Sequence, residues 1–359
     1  MFDFVDGAAG RERACARNAA ALDDVILRPR VLQPVALRSL ATRFLGRDFG
    51  VPFGIAPMGM CNLVWPGADR HLAQAATLFG MPLCLSTAAS SSMEQVRDWA
   101  GDNTWFQLYV TGASEQAFAL IDRAEAAGFT VLVLTVDVPV VANRVRDRRN
   151  GFAVPFGLGP RQILDFARHP RWSLATLAAG VPRAAHFDTG FDRSASRAGL
   201  DWHLFDRIRA RWAGTLVVKG VMCPEDALRL RAAGADAIQV SNHGGRQLDS
   251  AAAAITALPA IRAALGPGFP ILFDSGIRSG EDIARALAMG ADFVMLGRPL
   301  LFALGAEGGT GLVAMLRLLA EELDIALAQL GLTSPAQLAT SVPPMPQVAA
   351  LRQIAAGGP

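Results

Sequence analysis

Residues 238–249 read IQVSNHGGRQLD and join a short apolar run to a polar end. The run 238–240 has the composition of a buried β-strand. His243 and Arg246 follow it, and the two glycines between them let the chain curl so that both side chains face one ligand. A buried strand that ends in an imidazole and a guanidinium is typical of a sheet whose carboxyl edge carries a functional site.

Seven more apolar runs of this kind occur along the chain. Together with residues 237–244, the runs are 52–57, 82–87, 105–110, 130–137, 215–221, 270–276 and 293–299. Most pairs are separated by a helical pattern that ends in glycine, as in 114–128, 224–234 and 280–290. Near-continuous apolar strands alternating with amphipathic helices indicate parallel strands covered by helices. Eight such units predict an α/β protein, a (β/α)8 TIM barrel rather than an open sheet.

The whole chain, 1–359, is predicted to form one domain with three segments outside the repeating units. Residues 1–50 precede the first strand, and the proline-rich residues 332–359 are predicted to lie over the surface as a C-terminal tail. Residues 138–214 follow the fourth strand as a long loop. A loop of this length in a compact barrel is typical of a lid or a binding segment.

The composition excludes several classes of protein. Hydrophobic residues make up 52% of the chain and the net charge is +2, which indicates a globular protein without a nucleic-acid partner. The four cysteines are scattered without metal-ligand spacing, so we expect no metal site and a reducing compartment. The first residues lack the pattern of a signal peptide. Proline and glycine interrupt the long uncharged windows 49–68 and 72–93, so we expect that the chain does not span a bilayer. A cytoplasmic location is therefore expected.

Two residue types that occur once in the chain both fall at predicted strand ends. Lys219 is the only lysine among 34 basic residues, and Tyr109 is the only tyrosine. A chain that uses arginine elsewhere and keeps one lysine at the barrel mouth indicates a need for an ammonium there. The alternative is drift in composition that has left one lysine behind.

An acid–base pair and a carboxylate clamp are predicted at the same mouth. Asp137, at the end of the fourth strand, is placed to orient His243 as a base. Arg246 suits a bidentate grip on a carboxylate, and Arg144, in an arginine-rich stretch, is a candidate second clamp. The competing interpretation is a histidine in a turn and an aspartate that caps a helix.

The last two strands end in motifs that suit a phosphate. DSGIRSG (274–280) and LGRP (296–299) each combine glycine backbone with an arginine, Arg278 or Arg298. Barrels commonly hold phosphate after these two strands. Each motif alone is ordinary turn chemistry, and it is their pairing on adjacent strands that favours a phosphate site.

Together these residues resemble a known family, the FMN-dependent α-hydroxy-acid oxidases and dehydrogenases. The resemblance covers nearly the whole chain and rests on RPRVL (28–32), LSTAASSSMEQV (85–96), FQLYV (106–110), LTVDVPV (134–140), VVKGV (217–221), SNHGGRQLD (241–249), DSGIRSG (274–280) and LGRPLLF (296–302). SNHGGRQLD is the most specific of these motifs. The resemblance implies a barrel with FMN at the strand ends, oxidation of an L-2-hydroxy acid of the lactate or mandelate kind, and a homotetramer.

The resemblance also implies roles for individual residues. His243, oriented by Asp137, would take a proton from the substrate; Arg246 and Arg144 would bind its carboxylate and Tyr109 its hydroxyl. Lys219 would lie near flavin N1 and stabilise negative charge on the reduced ring. The implied FMN-binding set is Pro57, Met58, Gly59, Ser86, Gln107, Tyr109, Thr135, Lys219, Ser241, Asp274, Ser275, Gly276, Ile277, Arg278, Gly297 and Arg298.

Departures from the family pattern bear on substrate and acceptor. Phe4 stands where a tyrosine hydroxyl usually contacts the carboxylate, and Ala88 stands where glycolate oxidase carries a tryptophan. Both changes favour a larger or more apolar substrate, of the mandelate kind or a longer 2-hydroxy acid. Met58 replaces a common threonine and weakens the expectation of a side-chain bond there. Gly59 replaces the alanine usual in oxidases and favours a dehydrogenase, with quinone or another acceptor. The chain also looks short at its N-terminus.

Residues 161–187 resemble the segment by which membrane-associated members of the family touch the bilayer. The segment is basic and carries aromatic and aliphatic side chains, which suits peripheral binding to the inner face of the cell membrane. A soluble active-site lid is the equal alternative. Two further alternatives for function are an oxidase that reduces O2 to hydrogen peroxide, and a phosphosugar-binding barrel that acts as an isomerase or a sensor.

Overall fold

The computed structural model describes residues 2–112, 114–151, 159–180, 182–187 and 197–342, and within them eight parallel strands close into a barrel. The barrel strands are β3 Phe53–Met58, β4 Leu83–Ser86, β5 Thr104–Leu108, β6 Val131–Thr135, β7 Thr215–Val221, β8 Ala237–Val240, β9 Ile271–Phe273 and β10 Phe293–Leu296. β10 pairs with β3 and closes the ring. All eight predicted strands are present, and the predicted (β/α)8 architecture is confirmed.

Helices surround the barrel and connect its strands. They are α1 Phe2–Asp6, α2 Arg13–Asp23, α3 Ala68–Phe79, α4 Met93–Ala100, α5 Ser114–Ala126, α6 Val145–Arg149, α7 Pro160–Arg168, α8 Pro170–Ala179, α9 Trp202–Arg211, α10 Pro224–Ala232, α11 Ala254–Leu265, α12 Gly280–Ala288 and α13 Arg298–Leu330. The helices predicted within 114–128, 224–234 and 280–290 are confirmed as α5, α10 and α12.

The strands are buried on both faces, as a covered parallel sheet requires. In β6, Val131 and Val133 join the cluster inside the barrel, and Leu132 and Leu134 join the cluster under the helices. This alternation fixes the register, since a slip by one residue would exchange the two faces.

A short hairpin that the sequence analysis did not predict closes the barrel at the amino ends of its strands. β1 Thr42–Phe44 pairs antiparallel with β2 Arg47–Phe49. Phe44 stacks on Phe293 with ring centroids 5.0 Å apart, and Phe49 packs edge-on against Trp105. Apolar rings thus close the barrel interior at this end.

The long segment between β6 and β7 contains α6 to α9, and gaps at 152–158, 181 and 188–196 fall outside the described residues. Four aliphatic side chains of α7 and α8 point to solvent: Ile163, Leu164, Leu174 and Leu177. The predicted C-terminal tail is described as far as residue 342. It includes a 3-10 helix, Pro335–Thr340, whose Leu338 is fully buried.

By length and composition, α13 is apolar enough to cross a membrane, with a mean hydropathy of 1.4 over its most apolar window. Its backbone leaves helical geometry at Glu307 and Gly308, so α13 consists of two helical segments joined at a kink rather than one straight helix. Leu312, Leu316 and Leu319 are fully buried in the core. A helix that buries its leucines in this way is a packing element of the barrel.

Candidate active site

A cavity of about 240 Å³ opens at the carboxyl ends of the strands, beneath α1. The predicted site residues that line it are Phe4, Pro57, Met58, Gly59, Ser86, Tyr109, Arg144, Lys219, His243, Arg246, Asp274, Ser275, Gly276, Ile277, Arg278, Gly297 and Arg298. Four more of the predicted residues do not line the cavity themselves but contact or pair with residues that do: Gln107, Thr135, Asp137 and Ser241. The structure therefore gathers the predicted residues at one mouth.

The predicted acid–base pair is formed. His243 Nδ1 lies 3.1 Å from Asp137 Oδ1 and 3.2 Å from Oδ2. Burial lowers the pKa of His243 below its usual range although Asp137 opposes the shift, so the ring is neutral at pH 7. For Asp137, burial acts to raise the pKa, but His243, which is charged at the acid pH where Asp137 titrates, and the ammonium of Lys219 outweigh burial and hold the pKa below the usual range. The pair is therefore a carboxylate that orients a neutral imidazole, with Nε2 turned to the cavity.

Glycine allows β7 to pass close to this pair. The β7–β8 register shifts between Lys219 and Val221, and Gly220 between them adopts φ +108°. A Cβ atom at Gly220 would lie 2.5 Å from the Cβ atom of Asp137. The position consequently requires glycine both for its backbone and for the space that Asp137 occupies.

Tyr109 faces the free side of the imidazole. Its hydroxyl oxygen lies 3.4 Å from His243 Nε2. Burial and the charge of Asp137 raise the pKa of Tyr109, so the phenol keeps its proton. The tyrosine is thus a hydrogen-bond donor beside the base.

Arg197 also lines the cavity, although the sequence analysis did not select it. Its guanidinium lies 5.1 Å from the centroid of the Tyr109 ring, and the residue is buried. It follows the undescribed residues 188–196 in a region without a recognisable motif. Among the features of the sequence, only its place in the long loop after the fourth strand pointed toward the site.

Lys219 belongs to a buried polar network. Its ammonium donates to Ser241 Oγ at 2.7 Å and lies 3.0 Å from Asp274 Oδ2. Burial alone would lower the pKa of Lys219, but Asp274 and Asp137 outweigh it and the pKa is raised. The only lysine of the chain is therefore a fixed positive charge at the cavity wall.

The predicted phosphate motifs form a cationic corner. Gly276, in the loop after β9, adopts φ +103°, a backbone conformation that favours glycine. Desolvation by the surrounding protein and the positive charge of the neighbouring Arg298 lower the pKa of Arg278, although part of its side chain reaches solvent. Such a concentration of positive charge beside open glycine backbone suits an anion.

Two arginines of the cavity hold α1 in place. Arg246 donates to the carbonyl oxygens of Phe4, Val5 and Gly7 at 3.0, 3.0 and 2.7 Å. Arg298 donates to Val5 and Gly7 as well, at 3.1 Å each, and to Gly244 at 2.9 Å. These carbonyls are at the C-terminal end of α1, where helical partners are missing. Arg246, predicted only as a carboxylate clamp, is thus also a structural anchor of α1.

Buried polar atoms without partners test whether a heterocycle fits the site. Within the part of the chain that the structure describes, Gln107 Nε2 and Thr135 Oγ1 are buried and have no hydrogen-bond partner. A buried polar group left unpaired costs about 1–3 kcal/mol. Both residues adjoin residues of the lining, Gln107 beside Ser86 and Thr135 beside Lys219, so this end of the barrel offers polar groups that suit a ring with polar edges. The residues present therefore fit a flavin.

Comparisons with known proteins agree with this geometry. Residues 1–343 match the model of the FMN-dependent dehydrogenase family. The chain is 38% identical to an L-lactate dehydrogenase of Pseudomonas syringae pv. syringae over 95% of this chain and 93% of that one. It is also 38% identical to an (S)-mandelate dehydrogenase of Pseudomonas putida, over 92% and 86%. The crystal structure of a monotopic membrane protein, (S)-mandelate dehydrogenase, superimposes with a TM-score of 0.89 at 38% identity, covering 94% of this chain and 92% of that one.

These matches extend over nearly the full length of the chain. The chain is therefore an FMN-dependent oxidoreductase built on a (β/α)8 barrel. It belongs to the FMN-dependent dehydrogenase family. Membership confirms FMN as the cofactor and removes the alternative of a phosphosugar isomerase or sensor.

Proposed function

We propose that the chain oxidises an L-2-hydroxy acid with a bulky apolar side chain, of the mandelate kind, and passes the electrons to a quinone. FMN-dependent oxidation of 2-hydroxy acids follows from the family and from the relatives that share it. The observation that carries the proposal is the Asp137–His243–Tyr109 array at one cavity with the charged Lys219.

The base in this proposal is His243. Its Nε2 takes up a proton from the substrate, since the ring is neutral and Nδ1 is held by Asp137. Asp137 then stabilises the imidazolium that forms. The Tyr109 hydroxyl binds the substrate oxygen, because it lies beside Nε2 and keeps its own proton.

Binding of the substrate carboxylate is assigned to Arg144 and Arg246. Both line the cavity with His243. Arg246 is already positioned by the carbonyls at the end of α1, so its guanidinium is pre-organised rather than free to swing. A clamp of this kind fixes the reacting carbon against the base.

FMN, when bound, supplies the acceptor for the two electrons that leave the substrate. Lys219 holds positive charge where the ring would become negative. Arg278, Arg298 and the backbone of Gly276 and Gly297 suit its phosphate. Pro57, Met58, Gly59, Ser86, Gln107, Thr135, Ser241, Asp274, Ser275 and Ile277 are the remaining residues proposed to hold the cofactor.

The preference for a bulky side chain rests on the apolar wall of the cavity. Phe4 and Ala88 line it, as the sequence analysis expected, and Val138, Val141 and Leu301 add aliphatic surface that it missed. A small substrate would leave this wall unfilled, whereas an aryl or alkyl group would bury it at about 25 cal/mol per Å². We expect kcat/KM for (S)-mandelate and 2-hydroxyoctanoate to exceed that for glycolate by at least about ten-fold. A higher kcat/KM for glycolate would contradict the proposal.

Two observations support a quinone as the acceptor. The chain has no side chain at Gly59, and it is similar to dehydrogenases. A Cβ at Gly59 would lie 3.0 Å from the Cβ of Ala88, so the alanine usual in oxidases would crowd this wall. We expect turnover in air to reduce a quinone analogue with little peroxide. Peroxide formed in amounts equal to the 2-oxo acid would instead make the chain an oxidase.

Peripheral membrane binding through α7 and α8, at the cytoplasmic face, completes the proposal. Leu174 and Leu177 are 67% and 79% exposed, although both are large aliphatic residues. A pair of substitutions, Leu174→Glu and Leu177→Glu, should abolish co-sedimentation with anionic vesicles. Leu318→Glu, on the exposed face of α13, serves as the matched control. Unchanged sedimentation of the α8 variant would assign α7 and α8 to a soluble lid.

A further inference from the structure

The imidazole of His243 is carried by a turn in an unfavourable backbone conformation. His243 adopts φ +58°, and Gly244 and Gly245 follow with φ +64° and +75°. The left-handed region costs free energy for a residue with a side chain, and a run of such residues persists only where its surroundings hold it. Other parts of the structure must therefore fix the turn that keeps the ring beside Asp137 and Tyr109.

Three consecutive backbone N–H groups of this turn donate to serine hydroxyls. The N–H groups of Asn242 and Gly244 both donate to Ser275 Oγ, at 3.2 and 3.0 Å. The N–H of His243, between them, donates to Ser241 Oγ at 3.0 Å. Ser275, which belongs to the loop after β9, thus holds the backbone on both sides of the base.

Asp274 sets the direction of both hydroxyls. Ser241 Oγ and Ser275 Oγ donate to Asp274 Oδ1 at 2.5 and 2.7 Å. Asp274 Oδ2 accepts from Gln239 Nε2 at 2.6 Å and lies 3.0 Å from the ammonium of Lys219. Because a carboxylate only accepts hydrogen bonds, the serine protons point to Asp274 and the lone pairs face the turn.

The hydroxyl of Ser275 is fully used by these contacts. A hydroxyl has one proton and two lone pairs, which are taken up by Asp274 and by the N–H groups of Asn242 and Gly244. The side chain therefore has no bonding capacity left for FMN, and any contact of Ser275 with the cofactor falls to its backbone.

Ser275 also occupies a backbone conformation that glycine adopts more easily. Its φ is +88°, and the next residue, Gly276, has φ +103°. A serine at such a φ costs free energy that a glycine would not. The side chain is thus retained against a backbone penalty, and the contacts that offset this penalty are those with Asp274 and with the turn that carries His243.

We propose that Ser275 is a positioning residue for the base, and that its hydroxyl holds the backbone of residues 242–244 so that the imidazole of His243 stays against Asp137. The inference rests on the proposed function, because it concerns the base of that reaction. Without the hydroxyl, the turn is free to relax toward negative φ. Such a change reorients the Cα–Cβ bond of His243 and displaces Nε2 from the reacting proton.

The test is Ser275→Ala in the FMN-loaded enzyme, followed by the anaerobic bleaching of the flavin with (S)-mandelate. We expect the limiting bleaching rate to fall about 10–100-fold, the loss expected when a reacting group is displaced by about 1 Å. The (S)-mandelate concentration at half the limiting rate should change by less than about three-fold, because α1 carbonyls hold the guanidinium of Arg246 independently of Ser275. A change in this concentration with an unchanged limiting rate would overturn the inference.

Reduction of the same flavin by light and a deazaflavin separates an effect on the base from an effect on the cofactor. Photoreduction needs no base, so its rate in Ser275→Ala should match that of the unmodified enzyme, and the variant should retain FMN. Photoreduction slowed as much as the reaction with (S)-mandelate would show that Ser275 acts on the cofactor, and would overturn the inference.

Ser275→Gly keeps the inference testable if the alanine variant does not fold. It removes the same hydroxyl but relieves the strain at φ +88°, so it should melt at a higher temperature than Ser275→Ala and react as slowly with (S)-mandelate. A bleaching rate of Ser275→Gly within about two-fold of the unmodified rate, against the 10–100-fold loss expected, would overturn the inference.

Ser92→Ala is the matched control for a loss of stability. Ser92 Oγ caps α4 by accepting from the Gln95 N–H at 3.2 Å, away from the turn. This variant should melt at a lower temperature because it loses a helix cap, and it should keep the bleaching rate of the unmodified enzyme. Bleaching slowed by Ser92→Ala as much as by Ser275→Ala would show that lost stability alone explains the effect, and would overturn the inference.

Hydrogen exchange of the holoenzyme provides a measurement without turnover. The amides of residues 242–244 should exchange about five-fold faster or more in Ser275→Ala, the effect of losing a hydrogen bond that closes the turn. Residues 131–137, which include Asp137, should exchange as in the unmodified enzyme. Equal exchange of residues 242–244 in the two proteins would overturn the inference.

Failure of the proposed function would be distinguishable from failure of this inference. If neither (S)-mandelate nor other 2-hydroxy acids bleach the unmodified enzyme, the proposed function fails. The exchange of residues 242–244 would still report whether Ser275 holds the turn.

Discussion

Replacing Asp137 by asparagine tests how the carboxylate acts on the base. The substitution keeps the size of the side chain and removes its charge, which lies 3.1 Å from His243 Nδ1. At an effective dielectric constant of 20, that charge stabilises an imidazolium by about 5 kcal/mol at most. Because the imidazolium forms during the reaction, we expect kcat for (S)-mandelate to fall by about 10²–10⁴-fold.

The pH dependence of kcat/KM gives an independent test of the same role, because the direction in which its acid limb moves can be predicted. His243 must be neutral to accept a proton, so kcat/KM rises with pH through the pKa of His243, which burial already places below 6.5. Asp137 raises that pKa, so its loss should move the acid limb to lower pH. Steady-state kinetics between about pH 4.5 and pH 8, with flavin content as the control, measure both effects. An acid limb that moves to higher pH, or a kcat within a few-fold of the unmodified enzyme, would refute the assigned role.

Three further predictions follow from other parts of the structure. Gly220→Ala should cost about 1–3 kcal/mol of folding free energy and should also lower kcat, because the new Cβ displaces Asp137. Thermal melts measure the loss of stability and turnover assays measure kcat. Normal turnover would contradict the close contact between Gly220 and Asp137. Arg197→Leu should lower kcat/KM about ten-fold, because the charge beside the Tyr109 ring is lost while the fold is kept, and an unchanged value would remove Arg197 from the site. Burial raises the pKa of Asp69 to about 6, so the stability that its protonated form provides is present below about pH 4 and is lost as the pH rises through 6. Denaturant titrations should therefore show Asp69→Asn gaining roughly 3 kcal/mol relative to the unmodified protein between about pH 4 and pH 7, and a difference that does not change with pH would contradict the assignment.

The barrel was predictable from the sequence because each of its strands carries a local signal. Runs such as 131–134 and 216–218 are wholly apolar, and most of the runs are followed by a helical pattern that ends in glycine. The hairpin formed by β1 and β2 was missed because its strands, TRF and RDF, are three residues long and each carries a single apolar residue. The hairpin depends on the packing of Phe44 and Phe49 against Phe293 and Trp105 at the amino ends of the barrel strands, and such a tertiary contact leaves no local signal in the sequence.

The site was predictable to the extent that strand ends converge. His243 and Asp137 are 106 positions apart, but both follow strands whose carboxyl ends meet at the mouth. The contacts of Arg246 with α1 span more than 230 positions and involve backbone carbonyls, which no motif records. Arg197 was missed for a related reason, since its place depends on the path of a long loop.

The most direct test of the central claim is the anaerobic reaction of the yellow holoenzyme with (S)-mandelate, followed at the flavin absorbance band. We expect the band of the unmodified enzyme to bleach within a single turnover. His243→Asn should retain FMN, since the cofactor contacts lie elsewhere in the cavity, and should bleach about 10²–10⁴-fold more slowly. Equal bleaching rates for the two proteins would show that the imidazole is not the base, and the account of this site would then be wrong.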